Sequence, residues 1–312
     1  MERFLVTGGA GFIGSNICRK LVSEGCFVRV LDNLLTGKKS NLDGIIDQVE
    51  FVEADMGDEA VARDAMKDIE VVLHQGALPS VPKSVDNPAA THKHCVDATF
   101  ALLLAARDAG IKRFVYAASS SAYGDSPTLP KVEKMPDRPL SPYAVAKLVG
   151  EHYCSVFYKC FGLQTIALRY FNVFGPYQDP ASQYAAAIPA FVTSILKDES
   201  PTIYGDGEQS RDFTYIDNVV SANLLAARAE KTEGQTVNIA CGQVVTVNEI
   251  IGIINEVIGK DVKPIYVDTR AGDVKHSLAD ITLAEKTIGF KPLVQFKDGL
   301  YKAIDWYREN LV

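Results

Sequence analysis

The chain has 312 residues, 47% of them hydrophobic and 23% charged, with a formal net charge of −7. That length buries a large core with a smaller lobe appended or interleaved, and the composition is that of a water-soluble enzyme with no apolar run able to cross a bilayer. The acidic balance, without basic clusters interleaved with aromatics, speaks against nucleic-acid and anionic-membrane partners, yet a few local arginines can still hold a diphosphate.

The opening Met1-Glu2-Arg3 runs straight into an apolar strand, with none of the features of a signal peptide, so a cytoplasmic location is expected. Short apolar runs at 4–6, 27–31, 49–52, 71–73, 114–116 and 165–168 read as buried strands. Helical stretches at 12–24, 59–66, 88–109 and 142–161 separate them. Strand, helix and strand at this spacing predict an α/β fold, a Rossmann-like doubly wound parallel sheet with right-handed crossovers. Beyond residue 172 the pattern loosens into Pro and Gly punctuation, where a smaller α/β substrate-binding lobe is expected. The expected division is 1–172 for the cofactor domain, with 213–242 returning to it, and 173–212 plus 243–312 for the second lobe.

Six cysteines at 18, 26, 95, 154, 160 and 241 form no C-x-x-C pair, which suits a reducing compartment. His92 and His94 are two residues apart and point to different sides of a helix, and His74 ends a strand, so no metal site is expected.

Gly8, Gly11 and Gly14 follow the first strand and open the first helix, the setting a dinucleotide fingerprint requires. Small residues admit a pyrophosphate to the backbone, and the helix N-terminus offers free N–H groups and partial positive charge. Asp32 ends the second strand, placed to accept ribose hydroxyls and to repel a 2′-phosphate, and Asn33 follows it in place of an arginine. NAD is therefore expected over NADP. Asp55, Gln75 and Ala77 lie at the carboxyl ends of later strands, where ligands gather.

Tyr143 and Lys147 are four residues apart behind an N-capping Ser141 and a first-turn Pro142, so both fall on one face at the start of a helix. An ammonium near a phenol favours the phenolate and makes Tyr143 a candidate general base. Ser119 ends the fifth strand on the same sheet edge.

With these residues in place the chain resembles the extended short-chain dehydrogenase/reductase family, in its nucleotide-sugar epimerase and dehydratase branch, and is most like its UDP-N-acetylglucosamine 4-epimerases. The motifs are TGGAGFIG at 7–14, DNLLTG at 32–37, SSSAYGD at 119–125, SPYAVAK at 141–147, RYFNVFGP at 169–176, GDGEQSRDFTYIDN at 205–218 and RAGD at 270–273. The resemblance implies a tightly held NAD, a Ser119/Tyr143/Lys147 trio and a UDP-sugar bound between the lobes. It adds Phe12, Ile13, Thr36, Gly37, Met56 and Phe171 to the cofactor set. For the substrate it implies Ser119 with Ser120 and Ser121, Asn172 and Arg211 and Arg270 at the diphosphate, Asp273 at the uridine ribose, Ser277 at the sugar, and Ala187 and Tyr204 among the substrate-binding residues. One departure is Cys95, where many relatives carry an Asn facing the nicotinamide.

Dehydratase and decarboxylase relatives carry an acidic residue in the segment that here reads Ser119-Ser120-Ser121, which favours 4-epimerisation. In related epimerases a bulky aromatic at this position restricts the sugar pocket, and the small Ser277 leaves room for a 2-N-acetyl group, so the resemblance implies UDP-GlcNAc/UDP-GalNAc, with UDP-Glc/UDP-Gal alongside. A nucleotide-sugar dehydratase, or a non-catalytic NAD-sensing regulator, is the alternative. The helices at 88–109 and 142–161 carry apolar residues beyond one stripe, and the resemblance implies that such helices pair into a homodimer.

Overall fold

A computed structural model describes residues 1–179, 187–269 and 275–310. Seven strands form one sheet: β1 (Arg3–Thr7), β2 (Phe27–Asp32), β3 (Glu50–Glu53), β4 (Val71–His74), β5 (Arg113–Ser119), β6 (Thr165–Tyr170) and β7 (Thr236–Ile239). They run parallel in the spatial order β3-β2-β1-β4-β5-β6-β7. The order reverses between β1 and β4, whose last residues Thr7 and His74 are register partners. Ligands bind at such a switch point, outside the carboxyl ends of the strands.

The strands alternate their side chains between two apolar layers. Phe4, Val6, Val30 and Ile166 face α1 (Phe12–Ser23), while Leu5, Leu31, Val72 and Phe114 face the other way, toward α2 (Glu59–Ala65). Next come α3 (Val81–Asp86), α4 (Pro88–His92), α5 (Ala98–Asp108) and α6 (Pro142–Phe161). The single helix expected over 88–109 is broken by a π-helical turn, Lys93–Asp97, where the wider ring inserts a residue into the ladder. α7 (Ala187–Leu196) precedes α8 (Ile216–Arg228), which packs on the face of the sheet that α1 covers; β7 then pairs with β6.

The remaining elements are α9 (Val247–Ile258), α10 (Thr282–Ile288) and α11 (Phe296–Asn310) with three two-stranded pairs. Val173–Phe174 pairs with Thr214–Tyr215, Ser210–Arg211 with Val245–Thr246, and Thr202–Tyr204 with Ile265–Val267. A capping box between Thr246 and Glu249 starts α9. No helix among the described residues is long and apolar enough to cross a membrane.

Candidate active site

The turn after β1 is shaped by close backbone packing. Gly8 has φ +65°, and a Cβ there would lie 2.7 Å from the backbone of Gly76. A Cβ on Gly14 would meet the Gly8 carbonyl at 2.2 Å, and one on Gly37 the Asp32 carboxylate at 2.9 Å. Gly11 is the N-cap of α1 and has no side chain to spend on the free N–H groups of the first turn. Only glycine permits this cradle, and it opens on a cleft of about 220 Å³ that also exposes Phe12, Ile13, Asn33, Thr36, Met56 and Ala77.

Asp32 sits at the far wall of that cleft, buried, with Ala10 N–H donating to Oδ2 at 3.0 Å and Leu34 N–H to Oδ1 at 2.8 Å. Burial raises its proton affinity, and the two backbone donors pull the other way by favouring the carboxylate. The carboxylate retains lone pairs for ribose hydroxyls, and its charge disfavours a 2′-phosphate. The glycine cradle, the helix N-terminus and Asp32 together fit NAD.

Tyr143 and Lys147 line the other end of the same cleft. Ser141 caps α6 by accepting Ala144 N–H at 3.2 Å, and Pro142 follows in the first turn. Deeper in α6, Glu151 is clasped by Arg169 of β6 through bonds of 2.7 to 3.1 Å, and Arg169 also holds Asp137 at 2.8 Å. α6 is thus anchored to the sheet two turns beyond Tyr143. The Lys147 ammonium is buried, donates to the Ala117 carbonyl at 2.7 Å and lies 4.9 Å from the Tyr116 ring centroid. Gly150 makes room for that ring on α6.

The expected acidification of Tyr143 by Lys147 is not supplied by the protein's groups alone. Burial pushes the phenol well above its ordinary value, and the Ser119 hydroxyl provides the opposing pull. The ammonium is turned toward Ala117, so the helical spacing brings the pair together without aiming charge at the phenol oxygen. Ser119 Oγ accepts Ser121 N–H at 3.2 Å and the Ser121 hydroxyl at 2.9 Å, which leaves its own proton free to donate. Ser120 belongs to the same one-turn 3-10 segment.

Three of the expected cofactor residues have side chains engaged within the protein. Phe171 is fully buried against Tyr123, Ala240 and Ala279 and belongs to the core. Asp55 accepts Gly57 N–H at 2.9 Å and faces His94 at 3.9 Å, so its carboxylate turns back on its own loop. Gln75 borders the cleft, but its amide is committed to Asn223 at 2.9 Å and to Tyr170 at 3.1 Å.

The substrate candidates converge on a residue the sequence reading missed. Asp212, fully buried, accepts Cys241, Gly242 and Ala279 N–H at 3.0 to 3.2 Å, and burial raises its pKa to about 6. Its carbonyl takes the Asn172 amide at 3.0 Å, and Asn172 holds φ +35°, a conformation asparagine tolerates. Arg211 donates to Ser210 and Lys275 carbonyls at 3.0 Å each, and Ser277 N–H bonds Ser210 O at 3.0 Å. Asp212 thereby knits the strand carrying Arg211 to the segments carrying Asn172 and Ser277. Its place inside the 205–218 motif was the available signal. Ala187 begins α7 and Tyr204 ends its short strand; Arg270 and Asp273 lie outside the described residues.

Comparison with known proteins decides the family. Residues 4–240 match the model of the NAD dependent epimerase/dehydratase family. The chain belongs to that family. It is 35% identical to a UDP-glucose 4-epimerase of Mycolicibacterium smegmatis, covering 99% of both chains. Among solved structures it is similar to a UDP-N-acetylglucosamine 4-epimerase from Methanobrevibacter ruminantium in complex with UDP-N-acetylmuramic acid, with TM-score 0.95, 40% identity and 99% of each chain covered. A UDP-glucose 4-epimerase from Thermotoga maritima with UDP-glucose gives TM-score 0.94 at 37% identity, again over 99% of each chain. As a member of the NAD dependent epimerase/dehydratase family the chain is an enzyme, and its cofactor is NAD.

Proposed function

We propose that this enzyme is a UDP-sugar 4-epimerase whose preferred substrates are UDP-GlcNAc and UDP-GalNAc, with UDP-Glc and UDP-Gal also turned over. The observation that carries this reading is the single cleft that joins the dinucleotide cradle to Tyr143 and Lys147. NAD, when bound, supplies a hydride acceptor that returns the same hydride, so the cycle closes without net redox. Tyr143 Oη takes the proton of the sugar 4-hydroxyl as the C4–H bond breaks, and gives it back to the 4-keto oxygen after the sugar has turned over. Ser119 donates its hydroxyl proton to the same oxygen. Lys147 holds the cofactor's ribose hydroxyls in this reading.

The choice against elimination rests on the engagement of the nearby carboxylates among the described residues. Ser119-Ser120-Ser121 contains no carboxylate, Glu133 accepts Asn238 N–H at 2.8 Å, and Asp137 is held by Arg169. Loss of water from the sugar needs a further acid/base pair that these residues do not offer. Turnover of the 4-keto sugar requires a firm grip on UDP and a loose one on the hexose. In this reading Arg211, Arg270 and Asp273 grip the nucleotide and Asn172 the diphosphate, the small Ser277 borders the sugar, and Ala187 and Tyr204 complete the substrate-binding set. We assign 1–172 with 213–242 to cofactor binding and 173–212 with 243–312 to the nucleotide sugar.

Exposed Phe100, Val156 and Phe161 on α5 and α6 support a homodimer through these helices, which light scattering after gel filtration tests. A cytoplasmic site of action completes the reading. The deciding experiment is incubation of the purified enzyme with UDP-GlcNAc and no added NAD. Appearance of UDP-GalNAc supports the reading; a 4-keto-6-deoxy product makes the enzyme a dehydratase, and binding without turnover makes it a sensor.

A further inference from the structure

We propose that His74 is a positioning residue: held as the neutral Nε2–H tautomer, it ties the 76–78 wall of the cofactor cleft to the π-helical turn at Cys95. The proposal rests on NAD occupying this cleft and not on which sugar is epimerised.

His74 is the last residue of β4 and is fully buried at the switch point, yet the reaction makes no use of it. Both ring nitrogens are engaged. Nδ1 lies 2.6 Å from the Thr7 hydroxyl and Nε2 lies 2.9 Å from the Thr99 hydroxyl. The partners fix where the protons are. Thr99 Oγ1 is 2.6 Å from the Cys95 carbonyl, an acceptor only, so the Thr99 proton points there and its oxygen must accept from His74. Nε2 therefore carries the ring proton. Nδ1 is then bare and accepts from Thr7, whose oxygen in turn accepts Gly76 N–H at 3.2 Å. The chain from Gly76 N–H to the Cys95 carbonyl has one direction only, and reversing any member leaves two acceptors face to face.

The same turn closes the circuit through the thiol. Cys95 Sγ accepts Leu78 N–H at 3.3 Å and lies 3.9 Å from the Leu78 carbonyl. Residues 76 and 78 are thus held from below by Thr7 and from the side by Cys95, and the short wall between them carries Ala77 into the cleft. The ring also packs on Tyr116 at 5.6 Å, the aromatic that lies under the Lys147 ammonium. A cationic ring would have no acceptor for its second proton except an oxygen already receiving Gly76 N–H. Burial disfavours that cation as well, lowering the His74 pKa to about 3.

A histidine that merely filled core space would tolerate either tautomer and would not care about the Thr99 hydroxyl. The test combines a spectrum with two variants of the NAD-loaded enzyme. In 15N-histidine-labelled protein, the long-range proton–nitrogen spectrum is expected to show His74 as the Nε2–H tautomer across pH 6 to 8, assigned by loss of its signals in His74→Gln. Thr99→Val is expected to release NAD about tenfold faster, the size of one lost buried hydrogen bond, with the KM for the UDP-sugar within about twofold of the parent. Thr99→Ser, which restores the hydroxyl, is expected to return NAD release to within about threefold of the parent. Should Thr99→Val fail to fold, Thr7→Val severs the chain at its other end and is expected to give the same acceleration. An Nδ1–H or cationic ring at pH 7 overturns the proposal, and so does NAD release that is unchanged in the folded valine variants.

Discussion

The Lys147 ammonium lies 6.0 Å from the centroid of the Tyr143 ring while its hydrogen bond, at 2.7 Å, goes to the Ala117 carbonyl. In the proposed reading the cation acts on the phenol through space, without a bond to it, and it is itself buried, which lowers its own hold on a proton. Replacing Lys147 with Met is expected to lower turnover about 10²–10⁴-fold and to move the rising limb of the pH–rate profile to higher pH. A profile that falls in height but keeps its position would remove Lys147 from control of the phenol.

Tyr143→Phe isolates the proton step, because the ring that lines the cleft is kept and only the oxygen is lost. Turnover is expected to fall about 10²–10⁴-fold while the NAD content of the purified enzyme stays at the parent level. Near-parent turnover, read by product analysis, would take the general-base role away from this residue.

Local spacing made much of this site legible. Gly8, Gly11, Gly14 and Asp32 are read from a strand–turn–helix context, and Tyr143 and Lys147 from one helical repeat with its N-cap; all six border the cleft. What could not be read depends on distant partners. Gln75 stands at a strand end like a ligand residue, but its amide is claimed by Asn223, 148 residues away. Phe171 adjoins the strand that lines the cleft, and the left-handed bend at Asn172 accompanies a side chain directed to Tyr123 instead. The break in the 88–109 helix escapes detection because its apolar pattern continues across the π turn.

Arg169 and Glu151 join α6 to β6 in a buried pair whose side chains are 4% and 5% exposed. Removing one partner strands the other charge in a dry setting, which outweighs the loss of the pair's own attraction. Arg169→Met is expected to destabilise the fold by about 3–5 kcal/mol, measured as a lower urea midpoint. A shift under about 1 kcal/mol would mean that Glu151 takes up a proton and is tolerated neutral.

Two buried groups set opposing pH dependences. His74 has a folded pKa of about 3 against an ordinary 6.5, so its contribution is intact above pH 6.5 and is lost as pH falls toward 3, when the unfolded chain takes a proton the fold refuses. By pH 5 that loss is about 2 kcal/mol. Asp212, raised to about 6 from 3.8, binds its proton more tightly when folded and so adds stability as pH falls from above 6 to below 4. Asp212→Asn is therefore expected to make the urea midpoint fall more steeply between pH 6.5 and 4 than in the parent. An unchanged slope would show that the carboxylate titrates as it does in the unfolded chain.

Ser277 offers the sharpest test of sugar choice, because its backbone is pinned to Ser210, the neighbour of Arg211, at 3.0 Å. In the proposed reading, a larger side chain at 277 takes its space from the sugar side, because the pinned backbone does not slide away. Ser277→Tyr is expected to lower kcat/KM for UDP-GlcNAc at least tenfold while leaving UDP-Glc within about threefold, since steric exclusion of an added group is worth about 1–3 kcal/mol. The check is a paired measurement on both sugars with one enzyme preparation, so that changes in folding or NAD content cancel. Equal losses on both sugars would show that position 277 supports the lobe as a whole and does not gate the 2-substituent.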